Sequence, residues 1–319
     1  MEMTTTERIP VSLILTTLNE ANVIPLFLDG VRASTVQPDD IVICDGGSTD
    51  DTVNIIRQRS DGLPVTVLVE HGATIARGRN IAAAQARNDI LAITDAGCRI
   101  EPDWLRRITE PLLADESIDA VGGGYALEGE TRVQRWTAVS TLPMYKQNSA
   151  NFLPSSRSFA LRREALLRAG GYQEELSFAG EDTALCLRMR KMGMRFVTRF
   201  DALVHWETRP TLRAFIKQYY FYGLGDGEAR SLSWRYRRIA LKWFTALALI
   251  IASVFEVRLL LLPIAGLVLF FFHIQRAFDW KRYAVLDRLG GFLFVMLKEG
   301  VSFIGYIAGR LNFRKRNAR

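Results

Sequence analysis

Residues 41 to 51 read IVICDGGSTDD, and the rest of the chain is interpreted outward from this stretch. A short apolar, β-branched run ends on Asp45. Two glycines then allow a sharp turn, and Ser48, Thr49, Asp50 and Asp51 are residues that favour a helix start, just before TVNIIRQRS. The stretch therefore predicts strand, turn and helix. Upstream, VSLILTT at 11 to 17 is a second strand candidate, and Val23, Leu26, Phe27 and Val31 recur behind it at helical spacing. Downstream, VTVLVE at 65 to 70, the Ala-rich ARGRNIAAAQAR and ILAITD at 90 to 95 repeat the alternation. Such β-α repetition predicts an α/β fold, with a mixed, mostly parallel sheet flanked by helices. Ligands of such sheets bind beyond the carboxyl ends of the strands, where Asp45 and Asp95 both fall.

From 100 to 207 the alternation loosens. EPDWLRRITEPLLAD, RREALLRAGGY and SFAGEDTALCLRMRKMG are predicted helices, and AVGGGYAL and RFVTRFDALVHW are predicted strands. The 319 residues carry a formal net charge of +7, which suits nucleic acid, anionic lipid or a phosphorylated small molecule alike. Nucleic acid is disfavoured, because the basic residues cluster beside apolar segments rather than on a groove-reading motif. Cys44, Cys98 and Cys186 are far apart with no CxxC spacing, which indicates neither zinc nor a disulfide framework. The polar start MEMTTTERIP is not expected to act as a secretory signal.

After about 208 the chain becomes aromatic and basic, then strongly apolar. The organisation expected is a 1–210 catalytic domain, a 211–238 interfacial connector and 239–319 C-terminal membrane helices, with a hairpin of 239–255 and 258–275 and a third helix, interfacial or packed, at 289–309. Trp243 to Phe255 gives 13 uncharged residues, about 20 Å of helix against a hydrocarbon core of about 30 Å. Crossing would need Ile239 to Lys242 as well, with Lys242 snorkelling. Leu259 to Gln275 gives 17 uncharged residues, near the lower limit for a span. Lys298 and Glu299 interrupt the third segment, which suits a packed or interfacial helix. Basic clusters at RYRR, KRY and the C-terminal RKR all belong on the cytosolic face by the positive-inside tendency.

The ordered set VSLILTTLNEAN, IVICDGGSTDDT, GATIARGRNIAAAQA, DILAITDAGC, SFALRREALLRAGGYQEEL and GEDTALCLRMRKMG resembles the family 2 glycosyltransferases, which adopt the GT-A, Rossmann-like fold. The DGGSTD and DAG motifs with an apolar C-terminal tail are similar to the membrane-associated, succinoglycan-type exopolysaccharide enzymes. The resemblance covers about residues 10 to 225. It implies a nucleotide-sugar-binding set of Thr17, Asn19, Glu20, Asp45, Gly47, Arg77, Arg79, Asn80, Asp95 and Ala96. Glu20 and Asp45 would accept from ribose hydroxyls or a base N–H, and Arg77 and Arg79 would contact diphosphate or base. Asp182 would be the general base, with Glu181 positioning it or the acceptor.

Each residue also has a plainer reading. The acids after strand 41–45 can serve only to shape a helix-capping turn, Arg77 can lie on a solvated face, and Glu181 and Asp182 can merely favour a helix N-terminus. Asp95 ends ILAITD where the family carries an Asp-x-Asp motif, and Gly97 and Cys98 follow it in place of a second acid. The resemblance implies a divalent cation, Mg²⁺ or Mn²⁺, held by Asp95 with His205 as a second ligand candidate; a lone His is as readily structural. Gln218 stands where processive synthases carry Gln-x-x-Arg-Trp, but Phe221 and Tyr222 replace the Arg and Trp, which argues for single sugar transfer. The function expected is inverting transfer of one hexose from a nucleotide sugar, a UDP-sugar by family frequency, to a lipid-linked glycan or polyprenyl-phosphate-type acceptor at the cytosolic face of the cell's inner membrane. The missing second acid leaves one alternative, a catalytically reduced membrane subunit that binds nucleotide sugar or glycan. Oligomeric state is left open.

Overall fold

The computed structural model describes residues 7–141, 152–177, 179–277 and 284–317. The N-terminal MEMTTT and the KRY cluster at 281–283 lie outside the described residues. In chain order the elements begin with β1 (Arg8–Thr17), α1 (Ile24–Arg32), β2 (Gln37–Asp45), α2 (Thr52–Gln58), β3 (Val65–Val69), α3 (Ile75–Gln85), β4 (Ile90–Ile93) and β5 (Cys98–Ile100). They continue with α4 (Trp104–Ala114), β6 (Ala120–Glu128), α5 (Arg132–Thr141), β7 (Phe159–Arg162), α6 (Arg163–Arg168), α7 (Glu181–Lys191) and β8 (Phe196–Glu207). The last helices are α8 (Leu212–Glu228), α9 (Ser233–Ala252), α10 (Leu261–Ala277) and α11 (Val285–Asn317), with a 3-10 turn at Val257–Leu260. Two compact units result: Met1–Leu127 with Leu153–Glu207, and Glu128–Phe152 with Thr208–Arg319. The division differs from a single cut near 210, because the segment 128–152 groups with the C-terminal helices.

The first unit is built on an eight-stranded sheet in the order β3-β2-β1-β4-β7-β6-β8-β5. β1 to β4 are mutually parallel, while β7 runs antiparallel to both β4 and β6, and β5 antiparallel to β8. The uninterrupted apolar runs of β1 and β2 follow from burial on both faces. Leu13, Leu15, Ile41 and Ile43 join one core with Phe27, Leu28 and Trp104, whereas Ile14, Val42 and Cys44 face the other with Ala82, Ala83 and Leu185. The small residues of α3 let that helix lie close to the sheet. A side chain at Gly78 would run into Thr16, so the glycine in ARGRN is set by backbone approach.

Three expectations change. In α1, Leu26 points outward at 66% exposure, and Ile24 and Leu28 join Phe27 and Val31 on the buried face instead. The helix expected from Ser177 begins at Glu181, after Gly180 at φ 89°. β5, β7 and α5 were not anticipated: three- and four-residue strands carry too little periodicity to register, and α5 is a ten-residue helix whose sequence RVQRWTAVST is poor in strong helix formers.

The second unit is helical. α8 packs along α11 through glycines: a Cβ at Gly223 or Gly227 would strike the Ser302 or Tyr306 carbonyl, and one at Gly305 or Gly309 would strike the Tyr220 or Leu224 carbonyl. This four-residue spacing on both helices permits backbone-to-backbone contact of the kind favoured where lipid supplies no hydrophobic drive. The mid-helix charges of α11 are taken up by protein. Lys298 is buried and donates to the Ser140 carbonyl, and Glu299 accepts from Lys242 and from Trp243 Nε1 at 3.0 Å. By length and composition, two described helical stretches are apolar enough to cross a membrane, Val257–Arg276 and Val285–Asn312. The apolar half of α9 is not one of them.

Candidate functional site

The carboxyl ends of β1 and β2 carry two loops laced together by their own polar side chains. Asp45 is fully buried: its Oδ1 accepts from the amides of Gly47 (2.9 Å) and Ser48 (2.7 Å), and its Oδ2 from the hydroxyls of Thr17 (2.9 Å) and Ser48 (2.6 Å). Asn19, at φ 57°, accepts through Oδ1 from the amide (2.9 Å) and hydroxyl (3.2 Å) of Thr49. Gly47, at φ 93°, lets the turn pass beside His71, which a Cβ would strike. Through these bonds Thr17, Asn19 and Asp45 hold the shape of the loop. Asp45→Ala is expected to cost on the order of 2–3 kcal/mol of stability, because buried donors lose their acceptor. Asp45→Asn, which keeps an acceptor oxygen, should cost less. Urea unfolding measures both, and a purely ligand-binding Asp45 would leave stability unchanged.

The ARGRN segment on α3 is also turned inward. Asn80 clamps the backbone of Tyr172, donating to its carbonyl (2.9 Å) and accepting from its amide (2.8 Å). Arg77 alone is half exposed, paired with Glu70 at 2.7 Å and Glu174 at 3.5 Å. Arg79 has a side chain only 4% exposed and joins two distant acids: it reaches Glu181 at 2.6 Å and Asp95 at 2.8 Å, with its guanidinium 5.4 Å from the Tyr172 ring centre. Burial works against its charge, but the carboxylates of Asp95 and Glu181 more than offset that, so the guanidinium holds its proton more firmly than usual. Arg79 is thus a strut between β4 and α7.

Glu181 and Asp182, neighbours in sequence, have separate environments. Glu181 is buried against Arg79; burial first, and then the charge of Asp182, push its carboxyl above the usual range while Arg79 pulls the other way. Asp182 is only partly buried, accepting from the Thr183 amide at 2.7 Å and the Ser156 amide at 3.3 Å. Ser156 in turn meets the Tyr172 hydroxyl at 3.1 Å. The helix-terminus reading fits Glu181 and Asp182 as first-turn acids of α7, but only the tertiary contacts distinguish an anchored acid from a more open one.

Asp95 lies in the turn from β4 to β5, beside buried Ala96 and exposed Gly97. A Cβ at Gly97 would meet nothing within 4 Å, so space is open where a second acid would stand. Cys98 is buried, and burial, then the Asp95 charge, push its thiol up to about 12; a thiol is in any case a poor match for Mg²⁺ or Mn²⁺, which prefer oxygen. His205 on β8 sits opposite Arg99 of β5, and its Nε2 lies 2.5 Å from Glu101 Oε1. Among the described residues there is no cluster of three or more His, Cys, Asp or Glu side chains arranged to hold a metal. One partly exposed carboxylate at Asp95 still fits Mg²⁺ or Mn²⁺ of the kind completed by substrate phosphate and water. Arg157 and Tyr172, both beside this network, were missed in the sequence: Arg157 precedes the SFALRREALLRAGGYQEEL motif, and Tyr172 lies within it without a role assigned to it.

A mixed sheet of this order, with flanking helices and acids at its carboxyl edge, is the GT-A architecture of glycosyltransferases. The model of the family described as glycosyl transferase family 2 matches residues 12–173, and the chain belongs to that family. It is 27% identical over 247 residues to Glycosyltransferase AglE of Haloferax volcanii, covering 75% of this chain and 79% of that one. It is 29% identical over 243 residues to Succinoglycan biosynthesis protein ExoA of Rhizobium meliloti, covering 70% of each. Among solved structures, the mannosyltransferase PcManGT from Pyrobaculum calidifontis, in complex with GDP-Man and Mn²⁺, shares the fold at a TM-score of 0.67 and 20% identity, over 96% of this chain and 88% of that one. The chain is a glycosyltransferase with relatives of the exopolysaccharide type.

Proposed function

We propose that the chain is an inverting hexosyltransferase, moving a single hexose from a nucleoside diphosphate sugar to a lipid-linked glycan or polyprenyl-phosphate-type acceptor at the cytosolic face of the inner membrane. The observation that carries it is the Asp95–Arg79–Glu181 chain of ion pairs, which ties the donor-side acid to the helix start that presents Asp182. Asp182 removes the proton of the acceptor hydroxyl as that oxygen attacks the anomeric carbon from the side opposite the leaving diphosphate, and so inverts the centre. Glu181, held by Arg79, keeps the base in place. A divalent cation on Asp95 would offset the charge that develops on the leaving diphosphate.

The membrane side of the reading is supported by exposed apolar side chains on α9 and α10, among them Leu241, Phe244, Leu247, Leu262, Leu269 and Phe272, next to the basic Arg235, Arg237 and Arg238. UDP-hexoses are the first donors to test. The mannosyltransferase with the same fold was solved with GDP-Man and Mn²⁺, so GDP-sugars belong in the same screen. Detergent-purified protein is expected to turn over at least one of these donors, and added chelator should slow it. Binding of a donor without transfer or hydrolysis under any condition would overturn the enzymatic assignment of these residues.

A further inference from the structure

We propose that Tyr172 is a positioning residue for Asp182, acting through Ser156, a role that rests on Asp182 being the base. The carboxylate of Asp182 is held at two points of unequal kind. Its Oδ1 accepts from the Thr183 amide at 2.7 Å, but that amide belongs to the next residue of α7 and travels with it. Its Oδ2 accepts from the Ser156 amide at 3.3 Å across 26 residues of sequence, and among the described residues this bond ties the carboxylate to a second segment of the chain. Ser156 is in turn set by its own side chain. It is 1% exposed, and its Oγ lies 3.1 Å from the hydroxyl of Tyr172, a residue only 2% exposed. The direction of Asp182 therefore passes through one pair of buried hydroxyls.

Tyr172 is fixed independently of that pair. Asn80 clamps its backbone from α3, and its ring centre lies 5.4 Å from the Arg79 guanidinium that joins Asp95 to Glu181. Burial pushes the Tyr172 hydroxyl pKa up, so it keeps its proton and can serve the Ser156 oxygen as donor. The neighbours of Ser156 have their own tethers: the Pro154 carbonyl faces Cys186 Sγ at 3.8 Å, and the Arg157 carbonyl accepts from the Thr94 hydroxyl at 2.7 Å. Loss of the Tyr172 hydroxyl should therefore leave the segment folded. It strands the Ser156 hydroxyl in the interior, and that group must turn to find another partner, carrying with it the peptide whose amide aims Asp182. A misplacement of about 1 Å at a reacting group is enough to cost about 100-fold in rate.

The test uses the full chain in detergent with Mn²⁺, following release of UDP from UDP-glucose and of GDP from GDP-mannose. With water as acceptor, its oxygen bonds to the anomeric carbon, its proton passes to Asp182, and the phosphate oxygen leaves with the bonding electron pair. For the faster donor, Tyr172→Phe and Ser156→Ala should each lower kcat about 10- to 100-fold, with calorimetric affinity for the matching nucleoside diphosphate within about twofold of wild type. The double variant should be no more than about threefold slower than the slower single one, because both changes break the same bond. In an Asp182→Asn background, Tyr172→Phe should change the residual rate by less than about twofold, which a general loosening of the site would not reproduce. If Tyr172→Phe folds poorly, Ser156→Ala removes the same bond from its other side and carries the test. Undiminished kcat in the folded variants, or a fall that persists in full in the Asp182→Asn background, would overturn the role of Tyr172. Full turnover by Asp182→Asn would instead remove the base reading beneath it, and release of nucleotide from neither donor would remove the donor reading.

Discussion

Asp182→Asn is expected to lower sugar transfer by about 10²- to 10⁴-fold, the usual range for a positioned general base, while donor affinity stays near wild type. The substitution keeps the side chain's size, but its one carbonyl oxygen can accept from only one of the two backbone amides, those of Thr183 and Ser156, that now meet separate carboxylate oxygens. What it removes is the proton acceptor. Stability should fall by about 1 kcal/mol for the one lost bond at a partly exposed site, and the larger loss should appear in kcat with calorimetric donor binding preserved. Glu181→Gln should behave differently. Its buried carboxylate balances Arg79, so it should lose stability as well as rate. A folded Asp182→Asn variant with undiminished turnover would remove Asp182 from the mechanism.

Arg79→Met is expected to be the most damaging substitution for stability, costing about 3–5 kcal/mol because Glu181 is left buried without its cation. For a unit of this size that corresponds to a fall of about 6–20 °C in the thermal midpoint. The pH dependence has a defined sign. A carboxyl whose folded-state pKa is raised supports the fold most at low pH and loses that support as pH rises through the raised value. Removing Arg79 takes away both the charge and the hydrogen bond that hold the Glu181 carboxyl down, so the penalty should be smaller near pH 5 than near pH 8. Adding Glu181→Gln to Arg79→Met should recover part of the lost stability, because the amide no longer carries a buried charge. Urea unfolding of the two single variants and the double variant, at both pH values, measures the coupling. A penalty that did not vary with pH, and no recovery in the double variant, would show that Arg79 acts by packing alone.

Much of the donor half was legible in order and position. The strand, turn and helix around IVICDGGSTDD, the alternation that follows and the place of Asp95 at a strand's end all appear in the structure. What was not legible is which polar groups face inward. The resemblance implies nucleotide-sugar binding by Asp45 and Asn80, and the fold adds that their side chains satisfy hydroxyls and backbone groups that burial would otherwise leave unpaired. Arg79 and Arg77 are two residues apart on one helix, about 200° around its axis. One therefore enters the interior and the other stays half exposed.

The C-terminal segments show the same division. Composition alone marks three apolar runs, but only packing explains how Lys298 and Glu299 are accommodated and why glycines recur on α8 and α11. The sequence by itself determined the family, the alternating architecture and the short list of acids, because these depend on local order and periodicity along the chain. Only the tertiary structure decided that Arg79 reaches Glu181 across 102 residues of sequence and Asp95 as well, and that Arg157 lies on Trp206. Side-chain direction depends on which groups are buried together and must satisfy one another, and that is a property of the folded sheet rather than of any single motif.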